Sequence, residues 1–372
     1  MLAGPPRAVG VLTLLVLTAL ITFYLFYTPF PSPKPVPKPI APPATNTYTL
    51  PVFTSGTPKP PGTPYTRILV IPRLKTQDVS WITTELPDLP TAIYTVDDPS
   101  APLTVPKNKG HEAMVYLTYL IDHYDALPDT ILFFHAHRTA WHNNFLLGLD
   151  AAETIRRLKD DRVARLGYMN TRCHHDPGCL DWLHLDRPVV DFDMIKKPEE
   201  KAFTRKVWAE LHPGVPAPPA LSQPCCAQFA VSGERVRQIP KARFEHYRDW
   251  LLRTELEDQD SGRVMEYLWQ YIFTGNAEYC PAIHSCYCDG YGLCFGSHAR
   301  FMEYMGMVEE RDRAQEELGK LEKEEGEGGE ERKTQLRDKI AQLNVKLVEG
   351  EHAATVRGQD PKNREAEAER AD

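Results

Sequence analysis

Hydrophobic residues change their spacing several times along the chain, and the first pattern is an unbroken apolar run. Residues 8–28 are 21 uncharged and mostly apolar positions, about the length of helix that crosses the hydrocarbon core of a bilayer. Tyr24 and Tyr27 lie where an interfacial aromatic belt is expected. The run is longer than the apolar core of a cleaved signal peptide and ends in Tyr-Thr-Pro instead of a small-residue cleavage site. The pattern predicts a transmembrane anchor at 8–28, after a cytosolic tail at 1–7.

Proline dominates the next stretch, residues 29–64, where it occupies 13 of 36 positions. Proline lacks a backbone donor and favours the extended polyproline II conformation, which makes such a segment a semi-rigid spacer. We therefore predict a disordered stalk at 29–64 that holds the next domain away from the bilayer.

Short apolar runs without polar alternation begin after residue 65, which is typical of strands buried on both faces. The runs are 67–71, 92–96 and 130–134. Apolar residues at helical spacing lie between and after them, over 79–86, 110–124, 151–159, 199–211, 241–256 and 262–273. The alternation predicts a layered α/β domain at 65–296 with a Rossmann-like, mostly parallel sheet. Ligands collect at the carboxyl ends of the strands in such folds.

The C-terminal part is highly charged and reads as a helical tail. Leu336, Ile340, Leu343 and Leu347 repeat at the spacing of a coiled-coil seam, but two heptads are few, so a short coiled coil and a solvated amphipathic helix both stay open for 297–349. A coiled coil would allow oligomerisation through residues 308–348. Residues 350–372 are polar and contain no aromatic residue, which predicts a disordered tail.

Charge is distributed unevenly along the chain. The net charge is −8, and residues 308–372, with 19 acidic and 13 basic residues, account for −6 of it. The α/β domain is nearly neutral and has no basic stripe, so a nucleic acid is not an expected partner.

Eight cysteines form three clusters: Cys173 and Cys179; Cys225 and Cys226; and Cys280, Cys286, Cys288 and Cys294. Their spacings do not reproduce the paired C-x-x-C knuckles of structural zinc sites, so disulfides are favoured over zinc. Disulfides behind a membrane anchor indicate an oxidising compartment. We expect a single-pass type II protein of the Golgi or endoplasmic reticulum lumen or of the cell surface, with the pairing of the cysteines left open.

Histidines follow the apolar run 130–134 directly. His135 and His137 are two residues apart, so they point to the same side if the strand continues through them. Such a pair is able to bind a divalent metal, the cofactor that these ligands favour, or a diphosphate. His142 follows closely and is a candidate for acid–base catalysis.

Carboxylates supply further candidates for ligand binding and catalysis. Asp191 and Asp193 have the spacing of a metal clamp for a nucleotide diphosphate. Glu266 lies in an otherwise apolar helical stretch, where a carboxylate is costly unless it is paired or functional. It is therefore a candidate base, and an ion pair with Arg263 is the alternative.

Asn108 and Glu112 flank the start of the helix predicted at 110. A helix N-terminus presents backbone donors to phosphate, which makes both residues candidates for ligand binding. Helix capping explains them equally well.

Several of these motifs together resemble a fungal family catalogued only as a domain of unknown function. The motifs are Asn108-Lys-Gly-His-Glu112, Tyr124-Asp-Ala-Leu-Pro128-Asp129, Phe133-Phe-His-Ala-His137, Trp141-His142, Cys225-Cys-Ala-Gln-Phe-Ala-Val-Ser232 and Glu266-Tyr-Leu-Trp269. The resemblance covers residues 65–296.

The layout of tail, anchor, stem and lumenal domain is similar to that of the A-type glycosyltransferases of the Golgi. This resemblance implies a nucleotide-sugar donor and a glycan acceptor. It implies that Glu266 deprotonates the acceptor hydroxyl, while His135 and His137, with or without a metal, neutralise the leaving diphosphate. In that group the strand ends in Asp-x-Asp, and here it ends in His135-Ala-His137.

Two other classes of function stay open at this point. One is a non-enzymatic, disulfide-stabilised lumenal or surface protein whose histidines are structural. The other is a metal-dependent hydrolase in which His135, His137 and His142 bind zinc.

Overall fold

Five short apolar runs form the strands of one sheet. They are β1 (Arg67–Arg73), β2 (Thr91–Thr95), β3 (Thr130–Phe133), β4 (Tyr168–Asn170) and β5 (Phe229–Ser232). The order is β2-β1-β3-β5-β4. β1 pairs in parallel with β2 and β3, and β5 runs antiparallel between β3 and β4. Four strands therefore share one direction, which confirms the mixed α/β, mostly parallel sheet.

The computed structural model describes residues 51–185, 197, 199–323 and 329–369, which lie in one compact unit, Thr47–Asp372. Its helices are α1 (Ser80–Glu85), α2 (Ala113–Asp122), α3 (Ala151–Arg157), α4 (Asp160–Leu166), α5 (Glu199–Ala202), α6 (Arg205–Leu211), α7 (Gly233–Arg237), α8 (Lys241–Arg253), α9 (Asp258–Glu266), α10 (Trp269–Thr274), α11 (Ile283–Tyr291), α12 (His298–Leu321), α13 (Glu330–Gly358) and α14 (Pro361–Glu369).

Helices cover both faces of the sheet. Val70, Ile131 and Phe133 belong to a core shared with α2, α8 and α10. Leu69 and Leu132, which point the other way, belong to a second core shared with α3 and α11. The central strands β3 and β5 are buried at every position, so neither of their faces meets water.

Two predicted helices begin or break differently in the structure, for reasons of backbone geometry. The helix predicted at 110–124 begins at Ala113, since Gly110 has φ 75° and His111 has φ 50°, values outside the helical region. The stretch 199–211 is divided into α5 and α6, and Thr204 caps α6 by accepting the Val207 N–H.

All eight cysteines form disulfides. The pairs are Cys173–Cys286, Cys179–Cys280, Cys225–Cys226 and Cys288–Cys294. This confirms disulfides over zinc, and four disulfides are typical of a secreted or lumenal protein.

The predicted cytosolic tail at 1–7, the anchor at 8–28 and the stalk as far as residue 50 lie outside the described residues. Among the described residues, the structure contains no helix of sufficient length and apolar character to cross a bilayer.

The end of the predicted stalk is ordered against the α/β domain, which corrects the boundary at residue 65. The Gly56 N–H donates to the Arg165 carbonyl at 3.1 Å, and Lys59 forms an ion pair with Asp129 at 2.7 Å. Phe53 packs against the core that includes α2. The α/β domain therefore begins at or before Phe53, at least twelve positions before the predicted boundary at residue 65.

The charged tail forms an antiparallel hairpin of α12 and α13. Ion pairs join Lys339 to Glu310, Arg332 to Glu317 and Arg337 to Glu322. Leu336, Leu343 and Leu347, three of the four seam residues, are buried. The seam is thus used within the chain, and oligomerisation through 308–348 stays a prediction.

The prediction of disorder from residue 350 is wrong for the described residues. α13 continues to Gly358, and α14 packs against α11. Arg364 of α14 forms an ion pair with Asp161. The sequence pattern missed this because the tail docks through charged side chains and a close approach of Gly358 to Gly292, and neither feature produces hydrophobic periodicity.

Candidate functional site

The ends of three neighbouring strands meet at one edge of the sheet. His135 follows β3, Arg172 follows β4, and Gln228 precedes β5, whose antiparallel direction brings its start to that edge. The His135 N–H donates to Gln228 Oε1 at 3.1 Å. The chain runs from β1 to β2 on one side and from β3 to β4 on the other, so the switch point lies between β1 and β3. Open α/β folds bind ligands at such a switch point.

Glu112 faces His135 across this edge, and their Oε2 and Nε2 atoms are 3.9 Å apart. Glu112 is the N-terminal cap residue of α2, which packs against the sheet. The turn before it is held by Asp258, whose Oδ1 accepts the Gly110 N–H at 2.7 Å. Gly110 is required there, because a Cβ would lie 2.6 Å from Leu251 Cδ2 and φ is positive.

Burial shifts the pKa values of this pair in opposite directions. Burial, and next the charge of Glu266, raises the pKa of Glu112 to about 8. Burial, and next the neighbouring His142, lowers the pKa of His135 to about 3. Both shifts are opposite to those of an ion pair, and 3.9 Å is too long for a hydrogen bond. At neutral pH a protonated Glu112 therefore faces a neutral His135.

Gln228 organises the histidines at this edge. Its Nε2 lies 3.3 Å from Nδ1 of His142 and donates to Asn143 Oδ1 at 2.8 Å. The His142 ring meets the His135 ring edge to face, with 5.0 Å between centroids. Burial, and next the charge of Arg172, lowers the pKa of His142 to about 4. Both imidazoles are thus neutral at pH 7, and each offers one ring nitrogen as a hydrogen-bond acceptor.

A second carboxylate and a guanidinium lie beside this pair. Glu266, at the end of α9, accepts the Cys226 N–H at 2.6 Å. Arg172 Nη1 lies 2.8 Å from Cys225 Sγ, and the guanidinium carbon lies 5.0 Å from the centroid of the Trp141 ring. Arg172 and Glu266 thus contact the two halves of the adjacent Cys225–Cys226 pair, and the charge of Glu266 contributes to the raised pKa of Glu112.

The site opens to solvent on one side. Trp141 is 64% exposed, and the His135 side chain is 21% exposed although its Nε2 atom is buried. That Nε2 atom has no hydrogen-bond partner among the described residues, and unpaired buried nitrogen atoms are uncommon in folded proteins.

The structure brings together four of the predicted site residues, Glu112, His135, His142 and Glu266. It leaves Asn108 and His137 exposed, and His137 Nε2 lies 3.5 Å from Gln77 Nε2. β3 ends at Phe133, so the alternation that was to align His135 with His137 stops before either residue. Asp191 and Asp193 lie outside the described residues.

The predicted metal site at His135 and His137 has no third ligand in the part of the chain that the structure describes. The groups of three candidate ligands whose atoms lie within 4.8 Å of one another are Cys225, Cys226 and Glu266, and Cys288, Cys294 and Glu367. Neither group contains a histidine, and their cysteines are paired in disulfides. A metal bound by His135 and His137 stays a prediction.

Arg172 and Gln228 belong to the site, but no pattern in the sequence marks them as site residues. Arg172 follows β4, which has only three residues and gives too short an apolar run to be recognised. Gln228 was noticed only as part of the Cys225–Ser232 motif. Its position directly before the apolar run that forms β5 was the one signal that could have indicated a site residue.

Comparison with known proteins identifies the family. Residues 69–289 match the model of the family described as "Protein of unknown function (DUF3431)". The chain belongs to the DUF3431 family. All residues of the DUF3431 site, from Glu112 to Glu266, lie within the matched range. The chain matches no curated protein and no solved structure, so the match confirms a domain of unknown function and leaves the likeness to A-type glycosyltransferases as a hypothesis.

Proposed function

We propose that this DUF3431 protein is a glycosyltransferase of the secretory pathway, anchored by residues 8–28 as a single-pass type II membrane protein. Its substrates would be a nucleotide-sugar and a glycan acceptor. The observation that carries the proposal is the meeting of Glu112, His135, Arg172 and Glu266 at the carboxyl edge of the sheet. Four disulfides fit a lumenal catalytic domain.

Arg172 is the group best suited to bind the diphosphate of the donor. A guanidinium binds phosphate oxygens in a bidentate manner, and Arg172 is the cationic member of the four residues that form the site. The sequence assigned this role to His135 and His137, but His135 is neutral at pH 7 because burial lowers its pKa to about 3.

No group of three candidate metal ligands within 4.8 Å of one another includes His135 among the described residues. We therefore assign no step to a metal ion.

Glu266 is the candidate base. Its Oε1 accepts the Cys226 N–H, which fixes the carboxylate in the site, where it would take the proton of an acceptor hydroxyl. Protonated Glu112 donates a hydrogen bond to an oxygen that develops negative charge beside it. Together these residues supply a base, a hydrogen-bond donor and a cation.

The alternative is a non-enzymatic lumenal or surface protein stabilised by its disulfides. The observation that favours it is the small exposed fraction of His135, 21% of the side chain. Two surface cavities lie away from the site, one of about 260 Å³ against the α12–α13 hairpin and one of about 440 Å³ beside α3.

A turnover assay with matched variants distinguishes the two functions. The full-length protein, purified in detergent, is incubated with a panel of nucleotide-sugars, and release of the nucleotide is measured. We expect release with at least one donor, and a loss of 100-fold or more in kcat for Glu266→Gln, which cannot accept a proton. His137→Asn, at an exposed position, is the control and should retain activity. Absence of release with every donor, or an active Glu266→Gln, would contradict the transferase.

A further inference from the structure

The Cys225–Cys226 disulfide differs from the other three in how little it is able to stabilise the fold. Cys173–Cys286 and Cys179–Cys280 join residues 113 and 101 positions apart, and Cys288–Cys294 joins residues six apart. A disulfide stabilises mainly by restricting the unfolded chain, and the effect grows with the length of the closed loop. Cys225 and Cys226 are adjacent, so their bond restricts almost nothing and needs another explanation.

The backbone at this pair is strained. Cys226 has φ 86° and Ala227 has φ 50°, and both residues carry a Cβ that disfavours the left-handed region. Strained backbone of this kind is found where function requires it.

The chemical surroundings favour a thiolate at Cys225. Arg172 Nη1 lies 2.8 Å from Cys225 Sγ and 4.0 Å from Cys226 Sγ. A guanidinium at these distances stabilises the charge that appears on a sulfur when a disulfide is broken. A cysteine bonded only for structure has no need of such a partner.

Access differs between the two sulfur-bearing residues. Cys225 is 3% exposed, and Cys226 is half-buried. Cys173, Cys286, Cys288 and Cys294 are fully buried, with at most 1% exposed. An external thiol therefore reaches Cys226 first and leaves Cys225 as the departing sulfur.

We propose that Cys225–Cys226 is a thiol–disulfide exchange site whose reaction partner is a dithiol. This inference does not depend on sugar transfer. A thiolate of the dithiol attacks Cys226 Sγ, forms a mixed disulfide and breaks the Cys225–Cys226 bond. The electron pair stays on Cys225 as a thiolate beside Arg172.

The second thiol of the donor completes the exchange. After it loses its proton, it attacks the first donor sulfur, and the mixed disulfide breaks to release the Cys226 thiolate. The Cys226 thiolate takes up a proton from water, and Cys225 stays a thiolate beside Arg172. The donor ends as a disulfide, having lost two electrons and two protons; the chain has gained the two electrons and one proton, and the other proton goes to solvent. Because the Cys226 N–H holds Glu266, the redox state of the pair also bears on the position of that carboxylate.

Graded reduction of the full-length protein tests the proposal. The protein is equilibrated with rising concentrations of dithiothreitol, free thiols are alkylated, and the modified cysteines are identified by mass spectrometry. We expect Cys225 and Cys226 to be alkylated at a dithiothreitol concentration at least tenfold below that for Cys179 and Cys280, which are also half-buried. The melting temperature should stay within about 2 °C when only the adjacent pair is reduced.

Arg172 variants separate the role of the guanidinium from simple access. Arg172→Gln should raise the dithiothreitol concentration that reduces Cys225–Cys226 towards the concentration that reduces Cys179–Cys280. Arg172→Lys should preserve the wild-type order of reduction, because it keeps a positive charge. If the Gln variant does not fold, the order of reduction in the wild type decides. Reduction of Cys179–Cys280 before or together with the adjacent pair would overturn the proposal, as would a folded Arg172→Gln that behaves as the wild type.

Discussion

Glu112 and His135 illustrate how burial sets the chemistry of single residues. Each would be charged or partly charged in water near neutral pH, and each is neutral in the fold because its charged form is poorly solvated there. The result is a neutral carboxylic acid and a neutral imidazole whose Oε2 and Nε2 atoms are 3.9 Å apart. Active sites often combine groups whose pKa values are driven apart in this way.

The raised pKa of Glu112 predicts how stability depends on pH. The folded state keeps the Glu112 proton up to about pH 8, and the unfolded state releases it near 4.5. The stability from this proton is complete below pH 4.5 and is lost as pH rises through 8. Glu112→Gln resembles the protonated form at every pH. The difference between its free energy of unfolding and that of the wild type should therefore grow, in favour of the variant, by on the order of 4 kcal/mol from pH 5 to pH 9.

Urea unfolding at pH 5, 7 and 9 measures this difference. Glu303→Gln, at an exposed position of α12, is the control and should follow the wild type at every pH. Parallel loss of stability in Glu112→Gln and the wild type would show that Glu112 is already ionised in the folded protein.

The secondary-structure elements could be predicted where periodicity is strong. Continuous apolar runs identified β1, β2 and β3, and helical spacing identified α2 and α8. The sequence did not reveal α4, because its stability comes from tertiary ion pairs such as Arg67 with Asp160 at 2.7 Å. It did not reveal the antiparallel direction of β5, because direction depends on connections and not on the pattern within a strand.

The candidate site was predictable only in part for the same reason. His135, Glu112 and Glu266 stand beside recognisable elements, and the motifs drew attention to them. Arg172 depends on β4 and on contacts made across the sheet, which no local pattern contains. His137 was assigned to the site by extending β3 past its true end at Phe133.

The turn that positions Glu112 depends on the glycine at position 110. Gly110→Ala puts a Cβ into a left-handed conformation and 2.6 Å from Leu251 Cδ2, which should cost about 2–4 kcal/mol of unfolding free energy. Gly306→Ala in α12 is the matched control, since its Cβ meets no atom within 4 Å and should stabilise by about 0.5–1 kcal/mol. Denaturant unfolding compares them, and a neutral Gly110→Ala would mean that the turn is able to relax.

At the scale of the whole molecule, the C-terminal helices belong to the folded unit and do not trail from it. Glu367 of α14 accepts the Gly296 N–H at 2.8 Å, and its carbonyl accepts the Ser285 hydroxyl at 3.3 Å. α11, against which α14 packs, carries Cys286, which is bonded to Cys173 one residue after Arg172. The tail thus supports the segment on which the site depends.

Removal of α14 tests this support. A chain that ends at Gly358 loses these hydrogen bonds and the ion pair of Arg364 with Asp161, which should lower the free energy of unfolding by about 2–3 kcal/mol. A chain that ends at Glu369 is the control and should match the full length. Equal melting temperatures for the two truncated chains would contradict a structural role for α14.

Glu112, His135, Arg172 and Glu266 are proposed to form one binding site for a donor diphosphate. Titration calorimetry of the full-length protein with UDP, GDP and CDP tests it most directly, on the wild type and on Arg172→Gln. We expect saturable binding of at least one nucleotide to the wild type, weakened at least tenfold in the variant, because a charged hydrogen bond to phosphate is lost. Binding that is absent from the wild type, or equal in both proteins, would contradict it.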